Sequence, residues 1–533
     1  MSDYVLFEES GSFRAATIQA DQNTSLQVEL PGGKRQKLKT AQVLLRFKDP
    51  APAQLLPMAE PLAAEMDPAF LWECAPDTEF AVSDLATDYY GHAPSAIEST
   101  ALLLAMHNAP LYFHRRGKGV FRRAPPDILK AALAGQEKKR LQAEAIERMA
   151  AELVAGKLPP ELVDQIEALL VQPDRNRLEV KAFEVACAET KETPAALLLR
   201  CGAFPDAYHW HYRRFVAERF PKGTGFPELP EPAKFGDLPL ADVNAVSIDD
   251  ASTTEIDDAL SVTRLPGIGW RFGIHIAAPG LGILPGSAHD AVARARLSTV
   301  YMPGHKITML PDDLVNRFTL AAGNACPALS LYVTTDEQFD ILSHDSRVER
   351  VPIAANLRLH EIEPHMTVDA LNRGDAPLCA HGDTLLTLWR FAVACAGRRG
   401  KPATQAGLHD YHYAISGPLH DKATGEILDP AACTIHIEAR KRGSPVDMLV
   451  AELMILANAT WGQLLADHAT PGLYRGQIAG KVRMTTSALP HEGLGVACYA
   501  WSTSPLRRYA DLINQWQLLA VLSGKQPPFD PRS

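Results

Sequence analysis

Residues 247–262 read SIDDASTTEIDDALSV, which places Asp249, Asp250, Glu255, Asp257 and Asp258 in one short stretch with no lysine, arginine or histidine among them. Val246 and Ile248 alternate with Ser247 and Asp249, ASTT turns the chain, and IDDALSVTRL resumes an extended pattern. This pattern predicts a strand closed by Asp249 and a returning segment that starts near Glu255, Asp257 and Asp258. Unit charges ~4 Å apart repel by several kcal/mol near a protein surface, so such carboxylates either take up protons or hold a cation. Dense hard oxygen donors suit magnesium or manganese, with water in the remaining positions. An EF-hand loop does not fit, because Thr254 stands at the sixth position, where that loop needs glycine. A solvated acidic turn is the alternative. The flanking apolar residues put the carboxylates at the edge of a core and favour a metal site.

A second stretch, YAWSTSPLRRYADLINQWQLLAVL (499–522), spaces Tyr509, Leu512, Ile513, Trp516, Leu519 and Ala520 along one helical face. Ser504 is a good N-cap and Pro505 a good first helical residue. Arg507 and Arg508 then fall in the first turn, where the macrodipole disfavours cations. A bound phosphate would resolve the conflict, met by backbone N–H groups, the Ser502, Thr503 and Ser504 hydroxyls and both guanidinium groups. The alternative is pairing with carboxylates, such as Asp511 four residues after Arg507.

With 533 residues the chain is long enough for two to four domains. A net charge of -10 excludes a uniformly basic coat protein but leaves room for a basic groove. The eight cysteines are scattered singly, without a C-x-x-C pair, which suits a reducing compartment and argues against a zinc ribbon. The acidic N-terminus lacks the order of a signal peptide, and the longest apolar run, MLVAELMILANATW (448–461), is interrupted by Glu452 and Asn458 and reads as too short to span a bilayer. The expectation is a cytoplasmic protein that engages no membrane. The histidines, His275 among them, show no metal-ligand spacing, and GTGF (223–226) is no nucleotide loop.

Residues 1–48 alternate in short runs and predict a small β barrel or meander. Residues 60–225 read as helical. There AIESTALLLAMHNAP (96–110) precedes LYFHRRGKGVFRRAP (111–125), a helix followed by a basic hairpin, as in a winged helix. Arg115, Arg116, Lys118, Arg122 and Arg123 would lie on the wing, either meeting phosphates or forming an ordinary charged surface. The stretch 220–246 is rich in proline and glycine and marks a domain boundary. Strands and helices then mix across 230–533, an α+β catalytic domain.

The acidic and arginine stretches together resemble the ribonuclease II (RNB) family of 3′-to-5′ exoribonucleases. That family carries Ile-Asp, then Asp-x-Asp-Asp, and far downstream Thr-Ser-Pro-Ile-Arg-Arg-Tyr. Here SIDDASTTEIDDAL and STSPLRRYADLIN stand in those places, with IHIAAPG (274–280), RLSTVYMPGHKITMLPDDL (296–314) and AELMILAN (451–458) between them in family order. The resemblance covers roughly 230–525 and implies an RNB-type catalytic domain, a mixed sheet with surrounding helices, that hydrolyses single-stranded RNA to nucleoside 5′-monophosphates. It implies that Asp249, Glu255 and Asp258 ligate Mg2+, with Mn2+ as a substitute, while Asp257 orients the terminal nucleotide or completes the shell. It implies further that Arg507 neutralises charge on the phosphate and that Tyr301 stacks on the last base, where the residues alone would pack it beside Pro303. Glu452 would read a ribose 2′-hydroxyl, and Arg475, Ser502, Ser504 and Arg508 would contact the substrate. No obligate protein partner is implied.

The departures are specific. Glu255 replaces an aspartate, and Ala278 and Pro279 replace an Asp-Val after His-Ile-Ala. The interval from AELMILAN to STSPLRRY is short. The region ahead of the catalytic part is helical where relatives commonly carry cold-shock barrels, and the sequence reaches PPFDPRS before the RNA-binding barrel that usually follows. Two other classes of function therefore stay open: an RNA-binding regulator with a weakened site, and a transcription factor dominated by the winged-helix unit.

Overall fold

The computed structural model describes residues 3–302, 304–400, 409–421, 424–441 and 443–530. The chain divides into two compact units, Met1–Pro205 and Asp206–Ser533. The division falls ahead of the Pro/Gly-rich stretch that the sequence marks as the boundary. Helix Ala207–Arg219 belongs to the second unit because its tyrosines face that unit. Tyr208 OH lies 2.6 Å from His420 Nε2, and the Tyr212 ring is 4.9 Å from the His420 ring.

In the first unit, β1 (Tyr4–Glu9), β2 (Ser12–Asp21), β3 (Ser25–Glu29) and β4 (Arg35–Lys39) form an antiparallel meander. β5 (Val43–Phe47) returns to pair with β1, so the sheet order is β4-β3-β2-β1-β5 and the sheet stays open. Alternation buries Val5, Phe7, Leu26, Val28 and Leu38 in one cluster. Further along, β6 (Phe80–Ala81) joins a hairpin of β7 (Phe113–Gly117) and β8 (Val120–Arg123). The helix before that hairpin, Ala96–His107, starts with a reciprocal capping box between Ser95 and Glu98. Three of the five basic residues on the hairpin are already paired: Arg115 with Glu8, Arg116 with Glu79 at 3.8 Å and Arg123 with Asp77. Lys118 and Arg122 remain exposed.

The second unit is built on a closed five-stranded barrel. Its strands are β9 (Ala245–Asp249), β10 (Asp258–Leu265), β11 (Gly269–Ala277), β14 (Ala325–Thr335) and β15 (Ile341–Arg358), with the small hairpin β12 (Val300–Met302) and β13 (His305–Ile307) beside them. The barrel order is β10-β11-β14-β15-β9, antiparallel except for the parallel pair β15–β9. Helices around a mixed barrel make this an α+β fold.

The two-residue period sorts side chains to the two faces of the wall. Phe272, Ile274 and Ile276 pack in one core with Phe391 of helix Gly382–Arg399 and with Leu449 and Leu453 of helix Pro445–Asp467. The Phe272 and Phe391 rings stack at 3.9 Å. Helix Pro445–Asp467 is long and apolar enough to cross a membrane, which corrects the length read from the sequence, but Val446, Leu449, Leu453, Trp461 and Leu465 are spent on the barrel core. On the opposite face His275 is fully buried, its two ring nitrogens each 2.8 Å from a hydroxyl, Ser261 and Ser330. Burial pushes the His275 pKa down to about 3, so the ring is neutral. Gly273 stands beside it because a Cβ there would collide with Ser261 Oγ and His275 Nε2.

Phe272→Ala empties the centre of that core and is expected to cost about 3–5 kcal/mol in urea unfolding, whereas a loss below about 1 kcal/mol would show that the ring pair is peripheral.

Candidate active site

The acidic stretch spans the gap between the end of β9 at Asp249 and the start of β10 at Asp258. Arg358 Nη1 holds its turn by donating to the Asp250 carbonyl at 2.9 Å. Asp257 is 2% exposed, a placement that a carboxylate tolerates only when it is matched. Each of its oxygens has a donor. Asp257 Oδ1 accepts the Leu506 N–H at 2.8 Å and Oδ2 accepts Arg507 Nε at 3.0 Å. Burial pushes the Asp257 pKa up and Arg507 pulls it back. Arg507 Nη2 also donates to Ser504 Oγ at 3.0 Å, and two fifths of the arginine side chain stays exposed.

Asp249 and Asp258 stand differently. Burial, followed by repulsion from Asp249, lifts the Asp258 pKa to about 7. Burial lifts Asp249 as well, and its Oδ2 has no hydrogen-bond partner among the described residues. Two half-buried carboxylates that repel each other, one with an oxygen lacking a partner among the described residues, form a donor set of the kind a cation would satisfy.

Glu255 is committed elsewhere. Its carboxylate accepts Thr299 Oγ1 at 2.7 Å, Lys306 Nζ at 3.2 Å and Tyr301 OH at 3.3 Å. The acidic stretch is therefore not one four-carboxylate cluster, as the sequence suggests. Asp257 answers Arg507, Glu255 answers Lys306, and Asp249 with Asp258 is left. Among the described residues no three His, Cys, Asp or Glu side chains gather as a metal-holding group. The remaining pair still fits magnesium, which is commonly held by one or two carboxylates while water and substrate phosphate complete the shell.

The other residues picked from sequence separate. Tyr301 on β12 is 59% exposed, with its hydroxyl tethered to Glu255, while Pro303 lies outside the described residues. Glu452 is fully buried and forms a two-pronged ion pair with Arg399, one donor to each oxygen. Arg475 is half-buried on a strand, Tyr474–Ile478, and its N–H donates to the Tyr499 carbonyl at 2.9 Å.

The arginine helix begins at Tyr509 with Arg508 at its N-cap, not at Ser504. Buried Asp511 causes the shift: Oδ1 accepts the Ser504 N–H at 2.9 Å and Arg508 Nη2 at 2.7 Å, folding Ser504–Arg508 into a turn. Asp511 is thus the partner of Arg508 rather than of Arg507, and the backbone donors expected at a phosphate are partly used. Ser504 Oγ serves Arg507, whereas the buried Ser502 Oγ has no partner among the described residues.

Sequence reading missed Lys306, Thr299 and Arg399. For Lys306 a signal existed in the sequence: a two-residue Pro-Gly break between VYM (300–302) and HKI (305–307) sets Tyr301 opposite Lys306, the register seen between β12 and β13.

The RNB domain profile matches residues 238–484 and 478–524, more than half of the chain and all of this site. The chain belongs to the RNB domain family. Similar proteins include a Synechocystis protein called uncharacterized ribonuclease sll1290, 28% identical over 57% of this chain and 46% of that one. Exoribonuclease 2 of Vibrio parahaemolyticus is 26% identical over 58% of this chain and 53% of its own. The chain spans about half the length of the curated relatives it matches. Dss1 exoribonuclease from Candida glabrata, solved as an active-site mutant, shares the fold with a TM-score of 0.54 over 99% of this chain and 85% of that one, at 16% identity.

Asp258, whose ordinary pKa is 3.8, sits at about 7, so the cation-free folded protein keeps a proton there that the unfolded chain releases. That contribution to stability is full below the unfolded value and lost as pH rises through the folded one. Asp258→Asn should therefore flatten the fall in thermal midpoint between about pH 4 and pH 7 in EDTA, and an unchanged slope would rule out the shift.

Proposed function

We propose that this RNB protein is a 3′-to-5′ hydrolytic exoribonuclease that shortens single-stranded RNA to nucleoside 5′-monophosphates with Mg2+, or Mn2+ as a substitute. The observation that carries this reading is the Asp257–Arg507 ion pair, which fixes a partly exposed guanidinium beside the Asp249 and Asp258 carboxylates. Asp249 and Asp258 would hold the cation, which when bound lowers the pKa of water and offsets phosphate charge. Arg507 faces the charge that builds on the non-bridging oxygens, and Asp257 keeps it there through reaction. Tyr301 offers its exposed ring to the terminal base, a contact worth ~1–3 kcal/mol and indifferent to sequence. Arg475, Ser502 and Arg508 flank the approach of the strand. Glu452, held by Arg399, supports the fold instead.

In the first unit, helix Ala96–His107 and the hairpin after it act as a winged-helix-like RNA contact through Lys118 and Arg122. A cytoplasmic setting is supported by eight free cysteines.

Chromatography of products from a labelled single-stranded RNA tests the reading. Mononucleotide 5′-monophosphates released from the 3′ end are expected, and Arg507→Ala should lower turnover by on the order of a thousandfold while weakening RNA binding less. Full-length RNA persisting in both metals with binding intact would instead identify a regulator.

A further inference from the structure

We propose that Glu255 is a positioning residue for the Tyr301 ring, with Lys306 as its counter-ion, and that it does not serve the cation pair. The inference rests on the reading of Tyr301 as a base-stacking platform.

Glu255 is 3% exposed, and three donors converge on its carboxylate. Oε1 takes the Thr299 hydroxyl at 2.7 Å, while Oε2 takes Lys306 Nζ at 3.2 Å and Tyr301 OH at 3.3 Å. Lys306 Nζ is steadied by Thr254 Oγ1 at 2.6 Å. Thr299 is locked from both sides, since its Oγ1 accepts the Met309 N–H at 3.0 Å and its N–H donates to the Arg507 carbonyl at 3.0 Å. Turning Glu255 toward a cation would strip the buried Thr299 hydroxyl and the Lys306 ammonium of their acceptor together, which is costly for a carboxylate buried this deeply.

Tyr301 lies on a hairpin of two three-residue strands, directly opposite Lys306. So short a hairpin sets ring orientation weakly by itself. The tether supplies what the strands do not: the hydroxyl end is fixed while the face stays open, as a stacking surface requires. The extra methylene of glutamate, where the family carries aspartate, gives the carboxylate its reach to the hairpin.

The test uses the full chain and an oligoribonucleotide ending in 2-aminopurine, whose fluorescence is quenched on stacking. The wild type should bind with quenching. Lys306→Met and Glu255→Gln should each lose the quenching and weaken binding about tenfold, with the kinetic loss in KM rather than kcat. Both should keep the wild-type rise of thermal midpoint with magnesium. Glu255→Asp, too short for the hairpin, should not restore quenching. Tyr301→Ala combined with Glu255→Gln should be no worse than Tyr301→Ala alone. Should Glu255→Gln abolish the magnesium-induced rise while quenching persists, Glu255 is a metal ligand and the inference fails. Lys306→Met decides the same question if the Glu255 variants do not fold. A wild type that quenches but releases no nucleotide supports the positioning role and removes the exoribonuclease reading; one that releases nucleotides without quenching does the reverse.

Discussion

A carboxylate that is 2% exposed dictates much of this structure. Asp257 cannot be left buried without partners, because an unpaired charge in that setting costs several kcal/mol. Its partners, the Leu506 N–H and Arg507 Nε, come from a segment about 250 residues downstream. Satisfying one acid therefore draws the turn Ser504–Arg508 onto the mouth of the barrel. The Thr299 N–H bond to the Arg507 carbonyl and the bridge between Ser298 and Arg508 then seat the Tyr301 hairpin on the same turn. Acid, guanidinium and aromatic ring are assembled by one set of hydrogen bonds.

The barrel supplies the rigidity that this assembly needs. Its strands pack large apolar side chains outward against two long helices, and on the other face they carry a neutral histidine between two hydroxyls. Neutral His275 carries no net charge into the barrel. The two open acids sit where β9 ends and β10 begins, so strand geometry, not loop conformation, sets their separation.

Much of this was legible in sequence. Alternation around Ser247 and Asp249 gave the strand, and the order of the motifs gave the family. What the sequence could not tell was how like charges divide their partners. Asp249, Glu255, Asp257 and Asp258 look equivalent in a string of acids, yet their roles follow from Lys306 and Arg507, whose approach depends on tertiary register. The partner of Glu452 was hidden for the same reason, since Arg399 lies on a different helix. The helix start at Tyr509 was hidden because Ser504 and Pro505 are good local starters, and a buried acid seven residues after Ser504 overrides them. The local preference of Ser504 and Pro505 for a helix start lost to the bond from the Ser504 N–H to buried Asp511.

The central claim is that Asp257 acts through Arg507. A double-mutant cycle on single-turnover RNA cleavage tests it most directly, with Asp257→Asn, Arg507→Met and the pair together. If the acid exists to hold the guanidinium, the double variant loses no more than the worse single one, a coupling well above ~1 kcal/mol. Losses that simply multiply would mean that the two residues work independently and would contradict this account.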